Sequence, residues 1–149
     1  MAWAELTEAN LLTRISGTEL DSFRASVLAD GQVDPVATTM VNACNLARGY
    51  ISAGGFDLGS GASIPEIVVL PCADLVIWEL MTRSAGIVID PNGARANARD
   101  EAMRILRDIA NGKLMVEEPT TDDTEVIGVP LPTFTGRDAE FGRELEDGI

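Results

Sequence analysis

The chain has no histidine, one lysine (Lys113) and two cysteines in 149 residues. Each shortage removes a class of chemistry. Without histidine there is no Ser–His–Asp or Cys–His catalysis and no imidazole to bind a metal. Cys44 and Cys72 stand too far apart for a zinc pattern. Each lies in an apolar helical pattern, the setting of a buried reduced thiol. Eleven basic residues against 24 acidic ones leave a formal charge of −13. That opposes a phosphate-binding footprint, which needs clustered Lys and Arg. The longest apolar run, Ile67 to Ala73, is interrupted by Pro71 and is too short to span a bilayer. The N-terminus has no basic, apolar and cleavage-site order, so no secretion signal is expected. These shortages predict no enzyme, no cofactor, no metal and no membrane association.

What is present is a helical body followed by an acidic arm. The body covers residues 1–114 and the arm 115–149. The arm holds ten acids (Glu117, Glu118, Asp122, Asp123, Glu125, Asp138, Glu140, Glu144, Glu146, Asp147) against Arg137 and Arg143, a net −8 that leaves −5 on the body. Its acidic runs lack the alternating spacing of a calcium loop and read as a solvated segment.

The expected fold class is all-α, a small bundle of four to five helices with an extended C-terminal arm. Thr7 is the N-cap of a short helix to about Ile15, with Leu6, Leu11, Leu12 and Ile15 as its apolar side. Ser16-Gly17 breaks it. Thr18 opens a second helix in which Leu20, Phe23, Val27 and Leu28 recur at helical spacing, ended by Ala29-Asp30-Gly31. Asp34-Pro35 starts a longer helix to Ala53, with a stripe of Val36, Met40, Cys44, Ala47 and Ile51 joined by Val41 and Tyr50, stopped by Gly54-Gly55. Ser63-Ile64-Pro65-Glu66 has capping-box spacing and opens a helix to Arg83. That helix is apolar nearly all round, the mark of a domain centre, and Pro71 should kink or split it. Asp74 and Glu79 are expected at its edges, paired with arginine or reaching water. Asp90-Pro91-Asn92-Gly93 is a turn. A last helix from Ala94 to Asn111 turns Ala98, Ala102, Ile105, Leu106 and Ile109 inward. It carries i,i+4 pairs Asp100–Arg104 and Arg104–Asp108 outside and stops at Gly112. The expected core centres on Met40, Cys44, Ile51, Leu75, Trp78, Leu106 and Ile109, with Trp3 a second core or staple residue.

Two segments are candidates for partner contact. The Gly/Ser-rich loop 54–64 holds Phe56 and Leu58. It is no phosphate cradle, because no Gly-Lys-Ser/Thr follows and Glu66 faces any anion. The arm holds Val126, Ile127, Val129, Leu131, Phe134 and Phe141. Pro130 and Pro132 keep that cluster out of a central strand, and an extended arm docked on a neighbour would use these side chains as anchors. Ordering the backbone costs about 1–2 kcal/mol per residue, and each buried anchor returns about 1.5–3 kcal/mol. The arm is therefore expected to be loose on a monomer and ordered only in an assembly.

The order of motifs resembles the Mu-type phage neck protein family. The opening Trp3-Ala4-Glu5-Leu6-Thr7 through Arg14-Ile15 is similar to the family's aromatic, Leu-Thr cap and short helix. The segment Val41 to Ile51 is similar to its Ala-rich helix with an Ile/Tyr end. Ile64-Pro65 precedes the apolar helix. Ala102 through Lys113-Leu114 is similar to its closing Ile-Ala-x-Gly-Lys-Leu pattern. The likeness covers residues 3–114. It departs at Ser52-Ala53-Gly54-Gly55-Phe56-Asp57-Leu58, where the family has Arg-Tyr and Pro-Leu.

The resemblance implies a head–tail connector adaptor of long-tailed phages. Such a protein forms a homo-oligomeric ring, twelve-fold by the resemblance, under the portal protein. It docks a downstream stopper or tail-completion protein and lets DNA pass without specific binding. It would reside in the virion neck, and in the host bacterial cytoplasm during assembly. The alternative reading is a monomeric helical protein-binding module that uses the arm as a peptide ligand. A nucleic-acid regulator has only the arginines of the last helix (Arg95, Arg99, Arg104, Arg107) in its support.

Overall fold

The computed structural model describes residues 2–27 and 33–119. The elements are β1 (Trp3–Ala4), α1 (Glu8–Leu12), α2 (Gly17–Val27), α3 (Pro35–Ala53), β2 (Ile64–Pro65), α4 (Glu66–Arg83) and α5 (Ala94–Ala110). The protein is all-α apart from one antiparallel two-residue ladder, in which Trp3 faces Pro65 and Ala4 faces Ile64.

Helix α4 is the hub, and all four other helices pack against it. Val68, Cys72, Ala73, Val76 and Leu80 on its inner side have no exposed surface. They meet Ile51 and Ala47 of α3, Leu106 and Ile109 of α5, and Leu11, Leu20 and Phe23 of the first two helices in one continuous core. A helix apolar nearly all round can be covered from several sides, which explains why the others wrap it. Its remaining face is still apolar: Ile67 and Leu70 are 42% and 41% exposed.

Helix α3 begins and ends where its punctuation requires. Asp34 Oδ1 accepts from Val36 N–H at 3.0 Å and Pro35 takes the first helical position. Gly54 is its C-cap. Helix α5 likewise stops before Gly112, at φ +70°.

Several expectations are corrected. Helix α1 ends at Leu12 rather than Ile15, and Leu12 is 47% exposed. Gly17 does not break a helix but begins α2, where Ser16 Oγ accepts from Glu19 N–H at 3.2 Å. Ser63 does not cap α4. Ile64 and Pro65 are extended, Pro65 holds the cap position, and Ser63 Oγ donates instead to Ser60 O at 2.7 Å. Pro71 does not split α4. The carbonyl it leaves unbonded belongs to Ile67, an exposed residue where water can serve.

On α3, Thr39 and Ala43 are buried beside the expected Val36, Cys44, Ala47 and Ile51, whereas Val41 is 55% exposed. The Thr39 hydroxyl is buried without penalty because it donates to Pro35 O at 2.7 Å. On α5, Ala96 is buried, while Ala98 and Ile105 are half-buried. Arg104 pairs with Glu101 and Asp108, and Asp100 pairs with Arg99. The turn at Asp90 forms as expected, with Asn92 and Gly93 N–H bonded to Asp90 Oδ1 and O.

Candidate assembly surface

Three surface features of the body stand out. The first is a groove of about 390 Å³ between the segment entering α1 and the first half of α3. Leu6, Val36, Met40, Val41 and Cys44 form its apolar floor, and Glu5, Glu8 and Asp34 line it with carboxylates. Arg24 is the cation beside them. It reaches Asp34 Oδ1 and Glu8 Oε2, each at 3.1 Å, and Asp21 Oδ1 at 3.6 Å. The bonds to Asp34 and then Glu8 raise the Arg24 pKa further. Burial works to raise the Asp34 pKa, but the bonds from Arg24 and from the start of α3 outweigh it and leave the carboxyl below its usual range. Glu8, Asp21 and Asp34 thus share one guanidinium, Glu5 adds a further carboxylate, and the groove keeps an excess of negative charge.

The second feature is the seam where the chain leaves the body. The Trp3 ring lies on Gly59, where an added Cβ would stand 2.7 Å from it. The Trp3 indole N–H donates to Glu117 O at 2.9 Å. Val116 is buried in the core cluster. Packing against the body therefore continues past Leu114. Beside it a pocket of about 130 Å³ collects Ile67, Met115 and Pro65.

The third feature is the end of the body formed by loop 54–58 and the C-terminus of α5. A Cβ on Gly54 would lie 2.5 Å from Ile109 O and 3.0 Å from the Phe56 ring, so only glycine admits this approach. Phe56 packs half-buried against the core and Leu58 is 41% exposed. Arg48 holds the rest of the loop, donating to Ser63 O at 2.6 Å and Gly59 O at 3.0 Å.

The core residues read from the sequence separate into two groups. Cys44, Ile51, Leu106 and Ile109 are buried. Met40 and Leu75 are half-buried against the core, and Trp78 is half-buried with the Arg99 guanidinium 6.0 Å from its ring centre. The arm residues Val126, Ile127, Val129, Leu131, Phe134 and Phe141 lie outside the described residues, as do Leu28 and the turn at Ala29-Asp30-Gly31. Sequence reasoning missed Glu5 in the groove lining and Arg24 beside it, because the groove forms from separate elements. It also missed Arg48, whose one signal was a cation in the helix just before a Gly-rich loop.

The titratable groups give little chemistry. Cys44 and Cys72 are free and buried. Burial pushes both thiols up, Cys72 to about 12. Asp74 at the edge of α4 is raised by burial, which outweighs the Arg14 guanidinium at 3.4 Å. Among the described residues no cluster of His, Cys, Asp and Glu could hold a metal ion. No helix among them is long and apolar enough to cross a membrane.

The pattern of the family described as Bacteriophage Mu, Gp36 matches residues 6–127. The chain belongs to the bacteriophage Mu Gp36 family. The match spans the body from Leu6 onward and runs into the arm as far as Ile127. No curated protein and no solved structure matches the chain. Membership makes it a phage structural or assembly protein of a family that is not typically enzymatic.

Proposed function

We propose that this protein is a head–tail connector adaptor. Copies form a ring under the portal, twelve-fold by the resemblance, which prolongs the DNA channel and presents a face to a stopper or tail-completion protein. The observation that carries this reading is the family match over residues 6–127, which joins the body to the first arm anchors, Val126 and Ile127. The arm residues Val126, Ile127, Val129, Leu131, Phe134 and Phe141 would bury on the portal or on a neighbouring copy. An exposed loop residue, Leu58, and the half-buried Phe56 offer further contact on the body.

The charge suits a conduit. At −13, the protein repels phosphates over a Debye length of about 8 Å at physiological salt, so DNA can slide without sticking. If the acids instead face the outer rim of an assembled ring, this part of the account fails.

The test is co-sedimentation with the portal ring, imaged by negative stain, using the full chain and a truncation after Pro119. The cut is placed there because Val116 and Glu117 belong to the body's packing. Decoration of one end of the portal, weakened by the truncation, supports an adaptor with a docking arm. No decoration by either form favours a monomeric binding module.

A further inference from the structure

The acidic groove and the α5 end occupy opposite ends of α3. The groove uses Val36, Met40 and Cys44 from the first half of that helix. Gly54, its C-cap, touches Ile109 and Phe56 at the other end. The two ends are separated by about 20 Å, the rise of some thirteen helical residues.

Their chemistry is complementary. The groove pairs an apolar floor with carboxylates that Arg24 alone cannot neutralise. At the far end, Arg107 and Lys113 are exposed and have no carboxylate partner among the described residues. The other cations among the described residues are engaged: Arg48 by loop carbonyls, Arg83 by Thr39, and Arg14, Arg24, Arg95, Arg99 and Arg104 by acids. Phe56 packs beside Gly54, which meets Ile109 in the last turn of α5, the turn that carries Arg107 and precedes Lys113.

A ring of identical subunits joins two different patches of one surface, and patches at opposite ends of the body give head-to-tail contact. We propose that the Phe56–Arg107–Lys113 end of one copy seats on the Glu5–Glu8–Asp34 groove of the next. The inference rests on the ring reading above and names its copy-to-copy contact. Asp57 stands exposed on the same loop, so the end is only mildly basic. Apolar contact therefore holds the pair, and charge sets which end meets which.

The test is a charge swap in the full chain. One variant carries Glu5→Lys and Glu8→Lys, and a second carries Arg107→Glu and Lys113→Glu. All four side chains are exposed, but Glu8 pairs with Arg24 at 3.1 Å, so the Arg107→Glu and Lys113→Glu variant should melt like wild type while the Glu5→Lys and Glu8→Lys variant should stay folded and melt somewhat lower. Copy-to-copy association is read by sedimentation velocity and chemical cross-linking, free and on the portal ring.

Each variant alone opposes like charges at every contact and should associate at least tenfold more weakly. An equimolar mixture, and a single chain with all four changes, restore opposite charges and should recover wild-type association. Variants that associate like wild type, or a mixture that fails to recover, overturn the inference while leaving portal decoration intact. If wild type decorates no portal and forms no cross-links, the connector reading falls and takes this inference with it.

Discussion

The indole N–H of Trp3 donates to the backbone carbonyl of Glu117 at 2.9 Å, tying together residues 114 positions apart. Trp3 also pairs with Pro65 in the small ladder and lies against Gly59. One side chain therefore fixes the start of the chain, the Gly-rich loop and the point from which the arm departs.

Trp3→Phe keeps the ring and removes the donor. A loss of about 0.5–1.5 kcal/mol is expected, the usual net value of one hydrogen bond. Hydrogen exchange should accelerate at Met115 to Glu118 and stay unchanged in α3 and α4. Uniform acceleration across the body would show that Trp3 acts on the whole fold instead.

The core should respond according to depth. Leu80 and Leu106 are fully buried around α4, so truncating either to Ala should cost about 2–5 kcal/mol in urea unfolding. Val41→Ala, at 55% exposure, should fall within about 0.5 kcal/mol. Equal losses at the three positions would contradict this arrangement of helices.

The Asp34–Pro35 start of α3 makes a separable prediction. Asp34→Ala removes a cap and should cost about 0.5–2 kcal/mol, whereas Asp34→Asn keeps a capping oxygen and should cost less. Because the folded Asp34 carboxyl sits below its usual range, its contribution is present above the unfolded value and is lost as pH falls through the folded one. Acid unfolding of the Asn variant should show a shallower pH dependence than wild type.

The thiol at Cys72 predicts the opposite window. Its folded value is raised to about 12, so the stability it lends is complete below the unfolded value near 8.5. It is lost as pH rises from there toward about 12, because only the unfolded chain releases the proton. Cys72→Ala should flatten stability between pH 9 and 11 by roughly 1 kcal/mol per pH unit. Native protein at pH 8 should leave both cysteines unlabelled by a thiol reagent, and unfolded protein should label two.

Much of the helical order is legible in the sequence because caps and stops are local. Asp34-Pro35 and Gly54 mark α3, and Gly112 marks the end of α5. The two-residue ladder is not legible, since Trp3-Ala4 and Ile64-Pro65 are too short to show an alternating pattern. The same ladder explains the error at Ser63: its spacing suits a cap, but Ile64 is held extended by Ala4. The groove escapes for another reason. Leu6, Val36 and Met40 read as ordinary core positions on two separate helical segments, and only their packing leaves an open face between them.

Body and arm together are proposed to form an adaptor on the portal ring. Negative-stain imaging of the co-sedimented portal complex tests it most directly. The expected image is a continuous ring of this protein at one end of the portal, weakened when the chain is cut after Pro119. Bare portal rings beside full-length monomer would contradict it.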